Sequence, residues 1–407
     1  MADQLTFEYT VRDRAGKTKS GTMSAANQKA VADRLRELGY APVSIGEKKE
    51  SLAQKEINIP GFGKKVSLAD LAVFSRQFAT MINSGLSLIR ALNILAEQTE
   101  NPKLAEVIGE VRSQVEQGRP LSTAMADHEV FPKLYIAMVR AGETAGLLDQ
   151  VLLRVAATLE ADVALRRKVK SAMTYPVVVL IMAVVLSSAM IIFIVPTFEG
   201  LFESLGGELP LPTQVLVMLS EGMRTFWYLF LLAPIAAWQG FKWARKQDNV
   251  RFFLDRMKLK LPVFGPLFHK VALSRFTRNL GSLLRAGVPI LQALEISADT
   301  VNNGVMSNAI NDVKAGVKEG ESMATPLSKH AVFPPMTVQM IAVGEETGAI
   351  DEMLEKISDF YDQEVEATTE QLTALLEPVM IAVLGGIVGG MVIALYMPMF
   401  KIFDLVQ

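Results

Sequence analysis

The 407-residue sequence contains no cysteine, which removes disulfides, thiolate nucleophiles and cysteine-ligated zinc or iron–sulfur sites at a stroke. Only three histidines are present, His128, His269 and His330. They form neither an HExxH motif nor an i, i+4 pair, so a histidine metal centre has no support. An excess of one charge sign is missing too. The 41 Lys+Arg and 43 Asp+Glu leave a formal charge of -2, without the basic surplus that nucleic-acid binders set against phosphates. Gly61-Phe62-Gly63-Lys64-Lys65 is rich in glycine and lysine but lacks the GxxxxGK[ST] spacing that cradles nucleotide phosphates. No cofactor, metal or nucleic-acid partner is expected, and the chain is expected to supply no ATPase of its own. The opening MADQLTFEYTVRD lacks the charged-then-apolar pattern of a secretory signal, so the N-terminus is expected in the cytoplasm.

Apolar residues are plentiful instead. They make up 50% of the chain, charged residues only 21%, and the mean hydropathy is +0.28. Residues 175–196 and 378–400 carry no Asp, Glu, Lys, Arg or His and are long enough to cross a hydrocarbon layer of about 30 Å as helices. A third stretch, 226–241, is shorter and interrupted by Pro234. Trp227 and Trp243 bracket it about 24 Å apart by helical rise, near the spacing of two interfacial aromatic belts. Uncharged cores argue against a proton relay or transporter, which needs intramembrane ionisable groups. Arg166, Arg167, Lys168 and Lys170 precede the first span, and Lys242, Arg245, Lys246 and Arg251 follow the middle one. The 197–225 connector holds Glu199, Glu203, Glu208 and Glu221 against Arg224 alone. Because Lys and Arg favour the cytoplasmic side, this predicts a multi-pass protein of the cytoplasmic membrane, with its N-terminus inside and its C-terminus outside.

The sequence is also written twice. A gap-free register offset by 202 residues, the distance from Gly85 to Gly287, pairs Arg76 with Arg278 and Pro132 with Pro334. It continues through Gly142-Glu143-x-x-Gly146-x-x-Asp149 and Gly344-Glu345-x-x-Gly348-x-x-Asp351 to Pro176 and Pro378. So long a period means a duplicated domain and not a solenoid. Phe74, Phe78, Met81 and Ile82 share a helical face, and glycines and prolines punctuate each copy into an antiparallel bundle. The fold expected is an all-α membrane protein: two tandem homologous cytoplasmic helical bundles with three transmembrane helices, plus a small α+β N-terminal module. In order, the units are a β-β-α-β module (1–50), a linker (51–66), a first bundle (67–174), span 1 (175–196), an external connector (197–225), span 2 (226–241), a second bundle (242–377), span 3 (378–400) and an external tail (401–407).

Three features could carry contacts. In the repeated Gly-Glu turn the glycines permit a tight interhelix link and the aspartate favours a helix N-terminus, with partner contact or cation binding by Glu143 and Glu345 as the alternative. Gly385, Gly386, Gly389 and Gly390 form small-xxx-small rows on the last span, a close-packing face expected to drive homo-oligomerisation. The long helices before spans 1 and 3 have opposite charge. Arg154, Arg166, Arg167, Lys168 and Lys170 against Glu160 and Asp162 give +3 over 154–170. Lys356 against Asp359, Asp362, Glu364, Glu366 and Glu370 gives -4 over 356–372. Such helices can pair with each other while resisting self-pairing, although the basic one could simply lie near anionic lipid headgroups.

Two copies of [ST]RxxxxxxxxG[LV]xxxxAL, of the Phe-Pro turn, of the Gly-Glu turn and of a Pro-bounded span, with Leu209-Pro210-Leu211-Pro212-Thr213 between them, resemble the inner-membrane platform proteins of type IV pili and type II secretion systems, the PilC/GspF family. The resemblance covers essentially residues 1–405. It implies a non-enzymatic platform in the lipid bilayer on which a cytoplasmic hexameric motor ATPase acts. It also implies pilin or pseudopilin subunits and other inner-membrane assembly proteins as partners. The pilus is favoured over secretion, with a transporter or channel as the rival class. The copies depart from each other where Arg278 is followed by Asn279-Leu280 and Arg76 by Gln77-Phe78, which argues for unequal roles.

Overall fold

A computed structural model describes residues 5–12, 18–25, 28–37, 39–47, 65–204, 209–245 and 247–405. Most of the expected linker, residues 51–64, and the last two residues of the expected tail lie outside the described residues. The chain divides into two compact units, 1–65 and 66–407.

In the first unit, β1 (Leu5–Arg12) lies between β2 (Thr18–Ala25) and a later strand, and α1 (Gln28–Glu37) precedes that strand, β3 (Ala41–Glu47). All pairings are antiparallel, with Phe7 opposite Met23 and Tyr9 opposite Gly21, and the β1–β3 register shifts between Thr10 and Val11. Phe7 and Val11, four residues apart on one strand face, are buried against Val31 and Leu35, one turn apart on α1. That two-sided apolar contact holds the helix on the sheet.

The second unit is helical. Its first copy comprises α2 (Leu68–Asn83), α3 (Leu88–Gln98), α4 (Pro102–Glu116), α5 (Leu121–Ala126), α6 (Lys133–Ala145) and α7 (Leu148–Ala189). A five-residue π segment, Met190–Ile194, continues α7 into α8 (Val195–Ser204), after which α9 (Leu211–Thr225) and α10 (Trp227–Ala244) return the chain. α11 (Asp248–Lys260) leads to the second copy: α12 (Phe264–Arg285), α13 (Ile290–Thr300), α14 (Gly304–Lys318), α15 (Ala324–Ser328), α16 (Pro335–Thr347) and α17 (Ile350–Leu405). The first residues of α3, α6 and α7 each lie 202 residues before those of α13, α16 and α17.

The boundaries follow from local chemistry. Ser67 and Asp70 form a reciprocal capping box at the start of α2, which satisfies two orphan amides. Asn101 caps α4 through Lys103 N and Leu104 N, and Asn303 caps α14 through Met306 N. Gly146 and Gly348 end α6 and α16 at φ of 70° and 72°, the left-handed region where a Cβ is costly. One continuous apolar core joins both copies, from Phe74, Phe78 and Leu92 to Phe276, Leu280 and Leu294. A separate cluster of Leu165, Leu267, Val365 and Leu372 ties α7 to α12 and α17 near the membrane-proximal ends of the bundles.

Among the described residues two helices are long and apolar enough to cross a membrane: Leu148–Gly200, with a mean hydropathy of 3.1 in its most apolar stretch, and Ile350–Met397, with 2.4. Both pass through their prolines, Pro176 and Pro378, without a break in the helix. α10 is also helical through Pro234, yet it is not among these two. The expected connector is largely helix. Within it α9 opens with a first-turn proline, Pro212, as suits a residue without an N–H. α9 touches the far ends of both long helices: buried Thr213 donates its hydroxyl to Ala394 O, and buried Ser220 donates to Ile191 O at 2.8 Å. Ile191 lies in the π segment, where the Val195 amide goes to Met190 O and the residue five beyond Ile191 is Pro196, which has no N–H to give its carbonyl. Ile191 and Ala394 thus both meet α9, while Leu165 and Val365, which precede them on their own long helices, share one cluster, so the two long helices run parallel.

Candidate functional site

The repeated arginines join the first helix of each copy to the long helix. Arg76 Nε donates to Glu160 Oε1 at 2.7 Å, and its Nη2 donates to Oε2. Arg278 Nη2 donates to Asp362 Oδ2, while Ser274 Oγ donates to Oδ1 at 2.6 Å. Glu160 and Asp362 stand at the same 202-residue offset, so the duplication has kept a salt bridge as well as a residue. Its surroundings differ. Arg76 and Glu160 are 41% and 43% exposed, whereas Arg278 is 10% exposed and Asp362 32%. Hydrogen bonding to Arg76 holds the Glu160 carboxyl below its ordinary pKa, against the opposing effect of its partial burial.

The Gly-Glu turns are caps as well as links. Glu143 accepts from Leu121 N at 2.6 Å, Ser122 N at 3.1 Å and Ser122 Oγ at 2.7 Å. Glu345 accepts from Met323 N at 2.9 Å and from Ser322 Oγ. Each carboxylate therefore sits on the N-terminus of a short helix, α5 or α15, where the dipole favours negative charge. Pro120, the residue that precedes α5, makes no side-chain cap bond, so the donors are met from α6. A Cβ on Gly142 would lie 2.8 Å from Val151 Cβ, and one on Gly344 would lie 3.0 Å from Ile350 Cα. These two glycines let α6 and α16 approach the long helices closely. Asp149 and Asp351 lie in the first turns of α7 and α17, but only the second copy offers an arginine, with Arg285 Nε donating to Asp351 at 3.0 Å. Burial would raise the Asp351 pKa, and the hydrogen bond and charge of Arg285 outweigh it and hold it low.

Pro132 and Pro334 precede α6 and α16, and the phenylalanine before each is buried. Phe131 meets Phe74 and Tyr135, and Phe333 meets Phe276 at 5.4 Å between ring centres. The repeated histidines face repeated acids, His128 near Glu110 at 3.7 Å and His330 near Asp312 at 3.3 Å. Gly85 and Gly287 follow α2 and α12 at positive φ. No group of three or more metal-ligating side chains occurs among the described residues.

Of the residues expected to pair between the long helices, Lys168 Nζ meets Glu366 Oε2 at 2.7 Å. Arg166 turns to Asp162 on its own helix at 3.0 Å, and Glu364 is taken by Lys270 of α12 at 2.7 Å. Arg167, Lys170 and Glu370 make no ion pair among the described residues. The physical reason is that α12 lies beside both long helices and competes for their charges. It places Arg275 on Asp162 at 3.0 Å as well. A Cβ added at Gly385, Gly386, Gly389 or Gly390 would meet nothing within 4 Å among the described residues, which leaves an open strip on α17.

Two copies of one helical bundle, each passing into a long apolar helix, define a duplicated membrane-associated protein. The family described as Type II secretion system (T2SS), protein F, matches residues 74–196 and again 276–398, and its N-terminal domain matches 1–47. The chain belongs to this family. It is 43% identical over 402 residues to the type IV pilus assembly protein PilC of Myxococcus xanthus, covering 98% of this chain and 96% of that one. It is also 43% identical to PilC of Thermus thermophilus, over 97% of this chain and 98% of the relative. Its identity to the type II secretion system protein F of Vibrio cholerae is 31%, over 98% and 99%.

Proposed function

We propose that the chain is the inner-membrane platform of a type IV pilus assembly machine. The observation that carries this reading is the pair of parallel bundles with like architecture and unlike charge, together with full-length similarity that is higher to pilus assembly proteins (43%) than to the secretion protein (31%). A platform needs a stiff cytoplasmic body that converts a motor's stroke into movement at the membrane. The continuous core across both copies and the unbroken helices α7 and α17 suit that task. The protein itself is non-enzymatic. A hexameric motor ATPase acts on the bundles, pilin subunits are drawn from the bilayer beside the spans, and further inner-membrane proteins and a second copy of the chain complete the assembly.

Three crossings fit this role. Two parallel spans require the chain to recross between them, and the apolar helix α10, about 27 Å long for its 18 residues, would supply that crossing. The N-terminus and both bundles then face the cytoplasm and the C-terminus lies outside. A pull-down of the detergent-solubilised chain with the motor ATPase of its own system tests the reading. The motor should be retained and nucleotide hydrolysis should occur only in its presence. Hydrolysis by the chain alone would refute the platform role.

A further inference from the structure

Where α7, α10, α11 and α12 meet, a groove of about 840 Å³ opens at the membrane-proximal end of the bundles. Five cations line it: Arg166 of α7, Lys242 and Arg245 at the end of α10, Arg251 of α11 and Arg275 of α12. The acidic lining residue, Asp255, is already held by Lys258 Nζ at 2.7 Å and by the Gly304 amide at 3.1 Å. Behind the wall, Asp162 is shared between Arg166 and Arg275, each at 3.0 Å. Five positive charges against these two carboxylates leave a surplus of three. Among the described residues, Lys242, Arg245 and Arg251 have no carboxylate partner.

Two further observations point to an anion from the membrane side. Arg275 is 17% exposed, and its Nε lies buried without a hydrogen-bond partner. Burial pulls its pKa below the ordinary guanidinium value, and Asp162 only partly opposes this while Arg166 adds to it. An unmet donor on a desolvated cation is costly, and an oxyanion in the groove would relieve it. The other wall is aromatic: Lys242 Nζ lies 5.5 Å from the Trp238 ring and the Arg245 guanidinium 5.5 Å from that of Phe241. An amphipathic tryptophan ring beside basic residues is characteristic of the headgroup layer. Arg166 stands one turn, about 6 Å, before Lys170, after which no charged residue occurs until Glu199. That places the groove within the headgroup layer, about 5–8 Å thick on each side of the hydrocarbon.

We infer that this groove binds the phosphate headgroup of an anionic phospholipid, with Arg245, Arg251 and Arg275 gripping the oxyanion and Trp238 and Phe241 lying against the lipid's glycerol and acyl base. A soluble phosphate would use the cations but not the rings. The site ties the returning helix α10 to the second bundle through a lipid, where few protein contacts join them. The inference rests on the reading that α10 crosses the membrane.

The test uses the full chain in vesicles of phosphatidylcholine containing a small fraction of brominated phosphatidylglycerol or, separately, brominated phosphatidylcholine. All three tryptophans, Trp227, Trp238 and Trp243, lie on α10, so bromine quenching reports the lipid beside that helix. Brominated phosphatidylglycerol should quench as though enriched about tenfold over its bulk fraction, equivalent to about 1.4 kcal/mol. Lys242→Gln with Arg245→Gln and Arg251→Gln should abolish the enrichment, while Lys242→Arg with Arg245→Lys and Arg251→Lys should keep most of it, which separates loss of the site from loss of the fold. Equal quenching by both lipids would overturn the site while leaving α10 in the bilayer. Absence of quenching by either would overturn the crossing and the site together. Displacement by inorganic phosphate would reassign the groove to a soluble anion, and displacement by polyglutamate to an acidic protein; either result overturns the lipid assignment.

Discussion

Removing the acid from each of the two duplicated salt bridges compares a largely exposed arginine–carboxylate pair with one whose arginine is nearly buried. In Asp362→Ala the guanidinium of Arg278, 10% exposed, keeps its charge but loses its carboxylate. Orphaning a fully buried charge costs about 3–5 kcal/mol. Asp362 is 32% exposed, so partial hydration lowers the expected cost to about 2–3 kcal/mol. In Glu160→Ala the arginine left behind is 41% exposed and can turn to water, so the cost is about 0.2–1 kcal/mol. Circular dichroism at the helical band, followed on heating in detergent, reads both. At about 2–4 °C per kcal/mol for units of this order of size, Asp362→Ala should lower the midpoint by roughly 4–12 °C and Glu160→Ala by about 4 °C or less. Equal shifts in the two variants would refute the argument that burial differentiates the copies, and a silent Asp362→Ala would refute the pairing itself.

The depressed Glu160 pKa makes a pH prediction. Its salt bridge stabilises the fold fully above the unfolded glutamate value of about 4.3, and that contribution is lost as pH falls through the lower folded value. Glu160→Gln should therefore lose less stability than the parent between neutral and strongly acid pH, measured by the same melts. Glu143→Ala removes the acceptor of three donors at α5 and should cost about 1–2 kcal/mol, with amide exchange rising at Leu121 and Ser122 first. Gly348→Ala forces a side chain onto φ of 72° and should cost about 1–2 kcal/mol, again by thermal melt. Lys168→Glu should loosen α7 from α17, and adding Glu366→Lys should restore the midpoint; failure of the double reversal would remove that pair from the account.

The register of the duplicated helices is legible in the sequence because glycine and proline act through local backbone chemistry. Gly146 and Gly348 need no knowledge of the fold to end a helix, and Phe131-Pro132 and Phe333-Pro334 announce the next one. Arg76 and Arg278 stand out by the same offset, but their partners do not. A long helix offers many carboxylates, and only the packing phase decides that Glu160 and Asp362 face the arginines, although their shared 202-residue spacing is a signal that could have been used. The opposite charge of the two long helices is visible as composition. The specific contact between Lys168 and Glu366 is not, because a third helix, α12, shares Asp162 with Arg166 and takes Glu364 into a pair of its own. Glu143 and Glu345 are conspicuous as a repeated motif, whereas their task at the ends of α5 and α15 depends on a six-residue and a five-residue helix too short to read from periodicity. The hydroxyls of Thr213 and Ser220, which join α9 to both spans, carry no motif at all.

The most direct test of the platform reading is a null allele in the native host, complemented with the full chain, with surface pili counted by electron microscopy and secreted proteins assayed in the same cultures. The account predicts that pili disappear, that pilin accumulates in the inner membrane, that secretion is unchanged and that complementation restores the filaments. Normal piliation in the null strain, or loss of secretion with pili intact, would contradict it.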